Sequence, residues 1–318
     1  MWTSPINGKK LMPSDGHLSD GENIFKVKPS GIIDLIFPKR LNELDEKARS
    51  FYEGRADAYE KYLHLTFQTY GEDEDYIRNY MIDKLQLTPS SKVLEIACGT
   101  GRDTLLIADR LGKEAIGYFV DIAEDMLETT VHKLKTYDFQ KYFSLANAMK
   151  IPLADNSVDC LYSFGAVGEF SDIKTFFKEC VRVVKPGGRV VVGDENLPVW
   201  LRNSEFGKIL SNYNNQFLAE VPFKDLPIEA RNVKCEWVIG GVFYLIEFEV
   251  GEGEPFANFD FDIPGARGGT HRTRMYGQLE GIKLSTKELA LKAQKSSGLS
   301  MHEWLNQVVL EAAKKGNK

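Results

Sequence analysis

The residues richest in chemical information stand in VLEIACGTGRD, residues 93–103, where an apolar, β-branched run meets Gly99-Thr100-Gly101 and a helical pattern follows. Glycine enters backbone conformations that other residues avoid and lets a ligand approach the chain, so a glycine loop between strand and helix predicts a ligand cradle. Asp121 follows Gly101 by 20 residues, at the end of the next apolar run. A carboxylate there can accept hydrogen bonds from both hydroxyls of a ribose. Two kinds of nucleoside cofactor use that arrangement. The dinucleotide fingerprint needs a third small residue, and counting G-x-G-x-x-G from Gly99 puts Thr104 in its place, which disfavours a pyrophosphate loop.

These residues need elements to position them. KVLEIA (92–97), AIGYFV (115–120), YFSLA (142–146), VDCLYSF (158–164) and RVVVGD (189–194) are short, apolar and β-branched or aromatic, and helical patterns near 102–112, 123–137 and 172–184 separate them. Strands buried on both faces and alternating with helices predict a parallel, doubly wound α/β sheet. NVKCEWVI and VFYLIEFEV, joined through Gly240 and Gly241, predict a hairpin that ends this seven-stranded sheet in an antiparallel edge.

Before the sheet, the prolines and glycines of residues 1–40 predict an extended arm without a long element. Spacings of three and four from Leu44 to Leu63 predict one helix, and Tyr76 to Leu87 a second. An aromatic-rich segment, Trp200 to Phe223, interrupts the strands. Residues 251–282 form a basic, glycine-rich connector, and Ser285 with Glu288 and Ser300 with Glu303 predict capping boxes opening two helices parted at Gly298. The expected division is an arm (1–40), a catalytic domain (41–250), the connector (251–282) and a helical hairpin (283–318).

With 318 residues, 43% hydrophobic and 27% charged, the chain can bury a sizeable core and is neither disordered nor collagen-like. It has no run of 18 apolar residues and no apolar signal segment at its start, so a soluble, cytoplasmic protein without membrane insertion is expected. Cys98, Cys160, Cys180 and Cys235 lie too far apart for a zinc-ligand pattern; buried free thiols and no metal are expected. A formal charge of −6 argues against a surface devoted to nucleic acid.

LEIACGTGRD, YFVDIAEDML, ANAMKIPLADNSVDCLYSFGAVGEF and RVVKPGGRVVVGDE, in that order and followed by the hairpin, resemble the class I S-adenosylmethionine-dependent methyltransferases, and among them the small-molecule and quinone group. The resemblance covers roughly residues 90–250. It implies a Rossmann-like fold, S-adenosylmethionine as cofactor, S-adenosylhomocysteine as product and a small-molecule acceptor. It further implies that Glu95, Gly99 and Gly101 shape the pocket for the amino acid end, and that Asp121 takes the ribose. Ile122 and Met126 would flank the adenine, with Asn147 at its amino group and the backbone of Ala148 and Met149 at its edge. Asn147 departs from the aspartate usual there; an amide oxygen still accepts, without charge assistance. Ser163 would lie beside the sulfonium and Tyr59 would close over the methionine moiety.

Methyl transfer from a sulfonium is an in-line displacement in which the protein orients the partners and excludes water. A hydroxyl, thiol or amine acceptor can need a base, and Glu169, Asp194, Glu195 and His271 are the candidates; the first three follow strands, where open α/β sheets bind ligands. Trp200, with the segment from it to Phe223, and the basic cluster Arg267, Arg272 and Arg274 are the candidate acceptor contacts. Residues 282–315 resemble the helical half of ribbon-helix-helix proteins, which implies a homodimer through the tail. Glu280 and the two glycines of MYGQLEGIKL suit a DNA-reading ribbon poorly, although lysines, Lys318 included, outnumber acids in the tail. The alternative reading is a regulatory protein that senses the cofactor and dimerises or touches DNA through this tail.

Overall fold

Odd and even residues of the central strands enter different cores, which is the mark of a sheet covered on both sides. Val93, Cys160, Tyr162 and Val191 pack with Met81 and Ile82, whereas Leu94, Leu161, Val190 and Val192 pack with Phe176 and Phe177. The computed structural model describes residues 1–277 and 281–316; Glu280 and Lys318 lie outside them. Contacts divide the chain into a unit at Met1–Pro255 and a second at Phe256–Lys318.

The first unit begins with three short strands, β1 (Met12–Ser14), β2 (His17–Ser19) and β3 (Ile24–Lys26), which form an antiparallel sheet. β4 (Ile32–Asp34) follows, then α1 (Glu43–Tyr52), α2 (Ala56–Tyr62), α3 (His64–Tyr70) and α4 (Glu74–Asp83). The Rossmann-like part contains β5 (Lys92–Ile96), α5 (Arg102–Ala108), β6 (Ile116–Asp121), α6 (Glu124–Lys133), β7 (Gln140–Leu145), β8 (Val158–Phe164), α7 (Ile173–Val183) and β9 (Val184–Glu195). After α8 (Glu205–Tyr213) come β10 (Ala230–Val238) and β11 (Phe243–Val250). The sheet order is β10-β11-β9-β8-β5-β6-β7-β4. β11 pairs antiparallel with both neighbours, and the turn uses left-handed Ile239, Gly240 and Gly241, as the hairpin pattern predicts. β5 lies between β6 and β8, so the chain leaves it toward opposite edges. The crevice at that reversal is where such sheets bind ligands.

The arm departs from expectation. It has no long element, yet it is folded: β4 joins the sheet as an eighth strand, parallel to β7, and Trp2 is buried edge-on to Tyr118 at 5.1 Å. Asp15-Gly16, both at positive φ, is a two-residue hairpin turn, a signal present in the arm and hidden among its breakers. The single helix predicted from Leu44 to Leu63 is also corrected. Gly54, at φ +75°, interrupts it, so that α1 and α2 are separate helices where one apolar stripe suggested continuity.

In the second unit, α9 (His271–Tyr276), α10 (Leu284–Ser297) and α11 (Met301–Gly316) are helical. Ser300 and Glu303 make their capping box reciprocally at 3.3 and 2.9 Å, and Gly298 ends α10 in the left-handed region. The box expected at Ser285 is absent, because the cap of α10 is Lys283, two residues earlier, which places Ser285 inside the helix. Residues 281–283, described before α10, form no strand of the kind the ribbon resemblance implies. Leu305, Val308 and Val309 on α11 are each 42% exposed. Among the described residues no helix is long and apolar enough to cross a membrane. The four cysteines are free, three of them buried.

Candidate functional site

The glycine loop gets its shape from three alternate residues in the left-handed region: Ala97 at φ +56°, Gly99 at +54° and Gly101 at +82°. Ala97 bears the strain of a side chain there, a feature its identity does not betray in sequence. A Cβ on Gly99 would enter open space in the cavity the loop lines, whereas one on Gly101 would stand 2.7 Å from Thr130 Oγ1. Gly99 therefore keeps the cradle open. Gly101 lines neither cavity and instead lets α5 approach α6, so its part in the site is indirect.

Two cavities with several lining residues in common lie at the carboxyl ends of the strands. The smaller, about 80 Å³, is a nest lined by Asp121, Ile122, Met126, Asn147, Ala148 and Met149. Asp121 Oδ1 accepts from the backbone N–H of Ile122 at 2.8 Å and of Ala123 at 2.9 Å, and Oδ2 accepts from Gly99 at 2.7 Å. Burial raises its carboxyl and these three donors oppose the rise. Asn147 Oδ1 accepts from Met149 N–H at 2.9 Å, which fixes the amide plane. These residues fit a nucleoside: an acid fixed at the ribose position beside an apolar slot with a polar edge.

The larger chamber, about 610 Å³, shares Tyr52, Tyr59, Gly99, Phe164 and Glu169 with the nest. Glu95 lines it and is buried; Thr104 Oγ1 donates to its Oε2 at 2.6 Å. Thr104, which breaks the dinucleotide fingerprint, is thus the partner that holds Glu95. Burial first, and then the charge of Asp103, push the Glu95 carboxyl well above its ordinary value. Ser163 is placed differently from expectation: its hydroxyl is buried without a hydrogen-bond partner and lines neither cavity.

Glu169, Asp194 and Glu195 also line the chamber, Glu169 lining the nest as well. Asp194 accepts from the N–H of Gly168 and from that of Glu195, the latter at 2.8 Å. Asn214 Nδ2 donates to Glu195, and Tyr52 donates its phenol to Glu169 at 3.1 Å. Burial lifts Asp194 to about 6. Burial and then the charges of Asp194 and Glu169 lift Glu195 to about 7. Glu169 is raised as well, chiefly by burial. Acids poised near neutrality inside a cavity can take protons from a bound ligand.

Sequence reasoning missed Tyr52, although it stands seven residues before Tyr59 on the apolar stripe, and missed Arg78, whereas Tyr213, Asn214 and Gln216 belong to the segment it expected at the acceptor pocket. The aromatic segment therefore contributes its end rather than Trp200, which is 68% exposed, packs on Trp237 and lines neither cavity. His271, Arg267, Arg272 and Arg274 belong to the second unit. There His271 lies edge-on to Phe259 and Phe261, Arg272 pairs with Asp260 at 2.8 Å, and Arg274 donates to the Gly268 carbonyl. Arg267 is exposed and its carbonyl accepts from the N–H of His302.

Comparison with known proteins agrees with this geometry. Residues 93–188 match the family described as a methyltransferase domain. A demethylmenaquinone methyltransferase from Bacillus mycoides is 30% identical over 118 residues, which is 37% of this chain and 50% of that protein. A ubiquinone/menaquinone biosynthesis C-methyltransferase from Geotalea daltonii is 28% identical over 195 residues, 59% of this chain and 82% of that one. The chain thus spans about half the length of the Bacillus relative. Among solved structures, phosphoethanolamine N-methyltransferase 2 of Haemonchus contortus, in complex with S-adenosyl-L-methionine, aligns with a TM-score of 0.50 at 13% identity, covering 68% of this chain and 62% of that one. That likeness concerns the fold alone.

Proposed function

We propose that this chain, which carries a class I S-adenosylmethionine-dependent methyltransferase domain, methylates a small aromatic acceptor of the quinol kind at carbon. The carrying observation is a pair of cavities with a shared lining, one holding the candidate ribose acid Asp121 and the other three lifted carboxylates. S-adenosylmethionine, when bound, supplies a methyl group activated by a positive sulfur. Asp121 would hold the ribose hydroxyls, Ile122 and Met126 the adenine faces, Asn147 and the backbone of Ala148 and Met149 its edge, and Glu95 with Tyr59 the amino acid end. Tyr52 and Tyr59, shared by both cavities, would exclude water between them.

Glu195, near neutrality, would take the proton of an acceptor hydroxyl and so raise electron density at the adjoining ring carbon, with Asp194 and Glu169 holding the acceptor's polar edge. The names of the two bacterial relatives support a quinone-type acceptor, and the carboxylates favour turnover over cofactor sensing. The α11 stripe is proposed to pair protomers. Incubation with methyl-labelled S-adenosylmethionine and a demethylated naphthoquinol should place label on a ring carbon. Label on oxygen, or turnover only with amines, would overturn the acceptor class and leave the cofactor assignment standing.

A further inference from the structure

We infer that Asn214, in the turn after α8, is a positioning residue for the reaction: its side-chain amide holds the Glu195 carboxylate on the chamber wall and sets the pH at which that acid can serve as a base. This rests on the reading of Glu195 as the base. Asn214 ends α8, its own N–H donating to the Leu210 carbonyl at 2.9 Å, and at once caps the short 3-10 helix Asn215–Leu218. Its Oδ1 accepts from the Gln216 N–H at 3.0 Å, and its Nδ2 donates to Glu195 Oε2. Both ends of one planar amide are in use, so the cap that orients the turn also aims the donor. Asn214, Gln216 and Glu195 all line the chamber.

The turn is fastened to the strand end that carries Glu195. Leu197 N–H donates to the Phe217 carbonyl at 2.6 Å, and Asn196 Nδ2 donates to the Ala219 carbonyl at 2.6 Å. Trp237 Nε1 holds Asn196 in turn, donating to its Oδ1 at 3.0 Å, and Phe217 is buried edge-on to Phe243 at 6.1 Å. Donor and acceptor therefore belong to two stretches that are locked together close to the bond itself. The charges that act on Glu195 are those of Asp194 beside it and Glu169 after β8, and the Tyr70 phenol of α3 also faces it. Both acids oppose its ionisation. Among the described residues Asn214 is the one donor onto the Glu195 side chain, and a donor favours the charged form. An acid pressed by two like charges and relieved by a single amide ionises near neutrality only while that amide is in place.

The test begins without an acceptor. Carbon-13 NMR of the full chain labelled at its glutamate carboxyl carbons, with the Glu195 signal assigned by its loss in Glu195→Gln, follows the titration of that group. Asn214→Ser keeps an oxygen for the cap but is too short to reach Glu195, and Asn214→Asp keeps the cap while replacing the donor by an acceptor. The Glu195 midpoint should rise by about one pH unit in Asn214→Ser and by more in Asn214→Asp. In turnover with methyl-labelled S-adenosylmethionine and the naphthoquinol, the rising limb of kcat should move to higher pH with it, leaving kcat at pH 7 about fivefold lower and S-adenosylhomocysteine affinity within about twofold. Loss of a cap alone would lower kcat at every pH alike. A midpoint that stays in place overturns the inference and leaves Asn214 a cap of its turn; should Asn214→Asp fail to fold, Asn214→Ser decides. A midpoint that moves while the kcat profile does not overturns the reading of Glu195 as the base, and with it the part of Asn214 in the reaction. Failure to methylate the naphthoquinol refutes the proposed acceptor instead, and the NMR titration still decides whether Asn214 governs Glu195.

Discussion

Burial lifts the acids of both the nest and the chamber, but the two oppose that lift unequally. Asp121 accepts three backbone N–H groups. Asp194 accepts two and reaches about 6, whereas Glu195 receives only a side-chain amide from Asn214 and reaches about 7. Each N–H donor favours the charged carboxylate, so Asp121 is opposed most, and Glu195, with one amide donor, is lifted further by the charges of Asp194 and Glu169. The comparison teaches that the nest is built to bind and the chamber to exchange protons.

The largest effect that would break this contrast lies in the nest. Asp121→Ala removes the acceptor of three buried N–H groups, each costly to leave unpaired. Affinity for S-adenosylhomocysteine is expected to fall by about 100-fold in calorimetric titration, and an unchanged affinity would show that the nest binds something else. In the chamber the split should reverse. Glu195→Gln is expected to lower kcat by about 100-fold while leaving S-adenosylhomocysteine affinity within about twofold, the loss belonging to a base rather than to a cofactor contact. Equal losses in kcat and cofactor affinity would erase the distinction between nest and chamber.

The smallest effect concerns pH. Glu195 in the folded chain holds its proton up to about 7, whereas its ordinary value is 4.5. Between those values the folded state binds more protons than the unfolded one, so stability is greater at the acid end of the window and declines as pH rises through it. Asp194 acts in the same sense between 3.8 and about 6. The Tm should therefore fall from about pH 5 to pH 7, and Glu195→Gln should flatten part of the slope. Turnover should rise over the same upper range, as the base ionises. A Tm that climbs across this window in the wild type and not in the variant would contradict the lifted acid.

Much of the first unit could be read from residue types because the β-branched runs and the glycine loop act locally. Lys92–Ile96 and Val158–Phe164 are strands in any fold that buries both faces, and Gly99 must be small wherever a ligand meets the loop. The three carboxylates were legible as strand-end residues. Their unequal protonation was not, since it depends on which donors the loops at Gly168 and Asn214 bring to them.

The alternation of strand and helix, the glycine-to-aspartate spacing and the terminal hairpin were determined by the sequence alone, through forces that operate over a few residues. Tertiary structure decided the rest. It sealed the arm into the core as an eighth strand, broke the Leu44–Leu63 stripe at Gly54, and turned Ser163 from the cavity. It also carried Arg78 and Tyr52 to a loop that lies far from them in sequence. Those outcomes depend on long-range packing and on which buried groups find partners, and neither quantity is written in the spacing of residues along the chain.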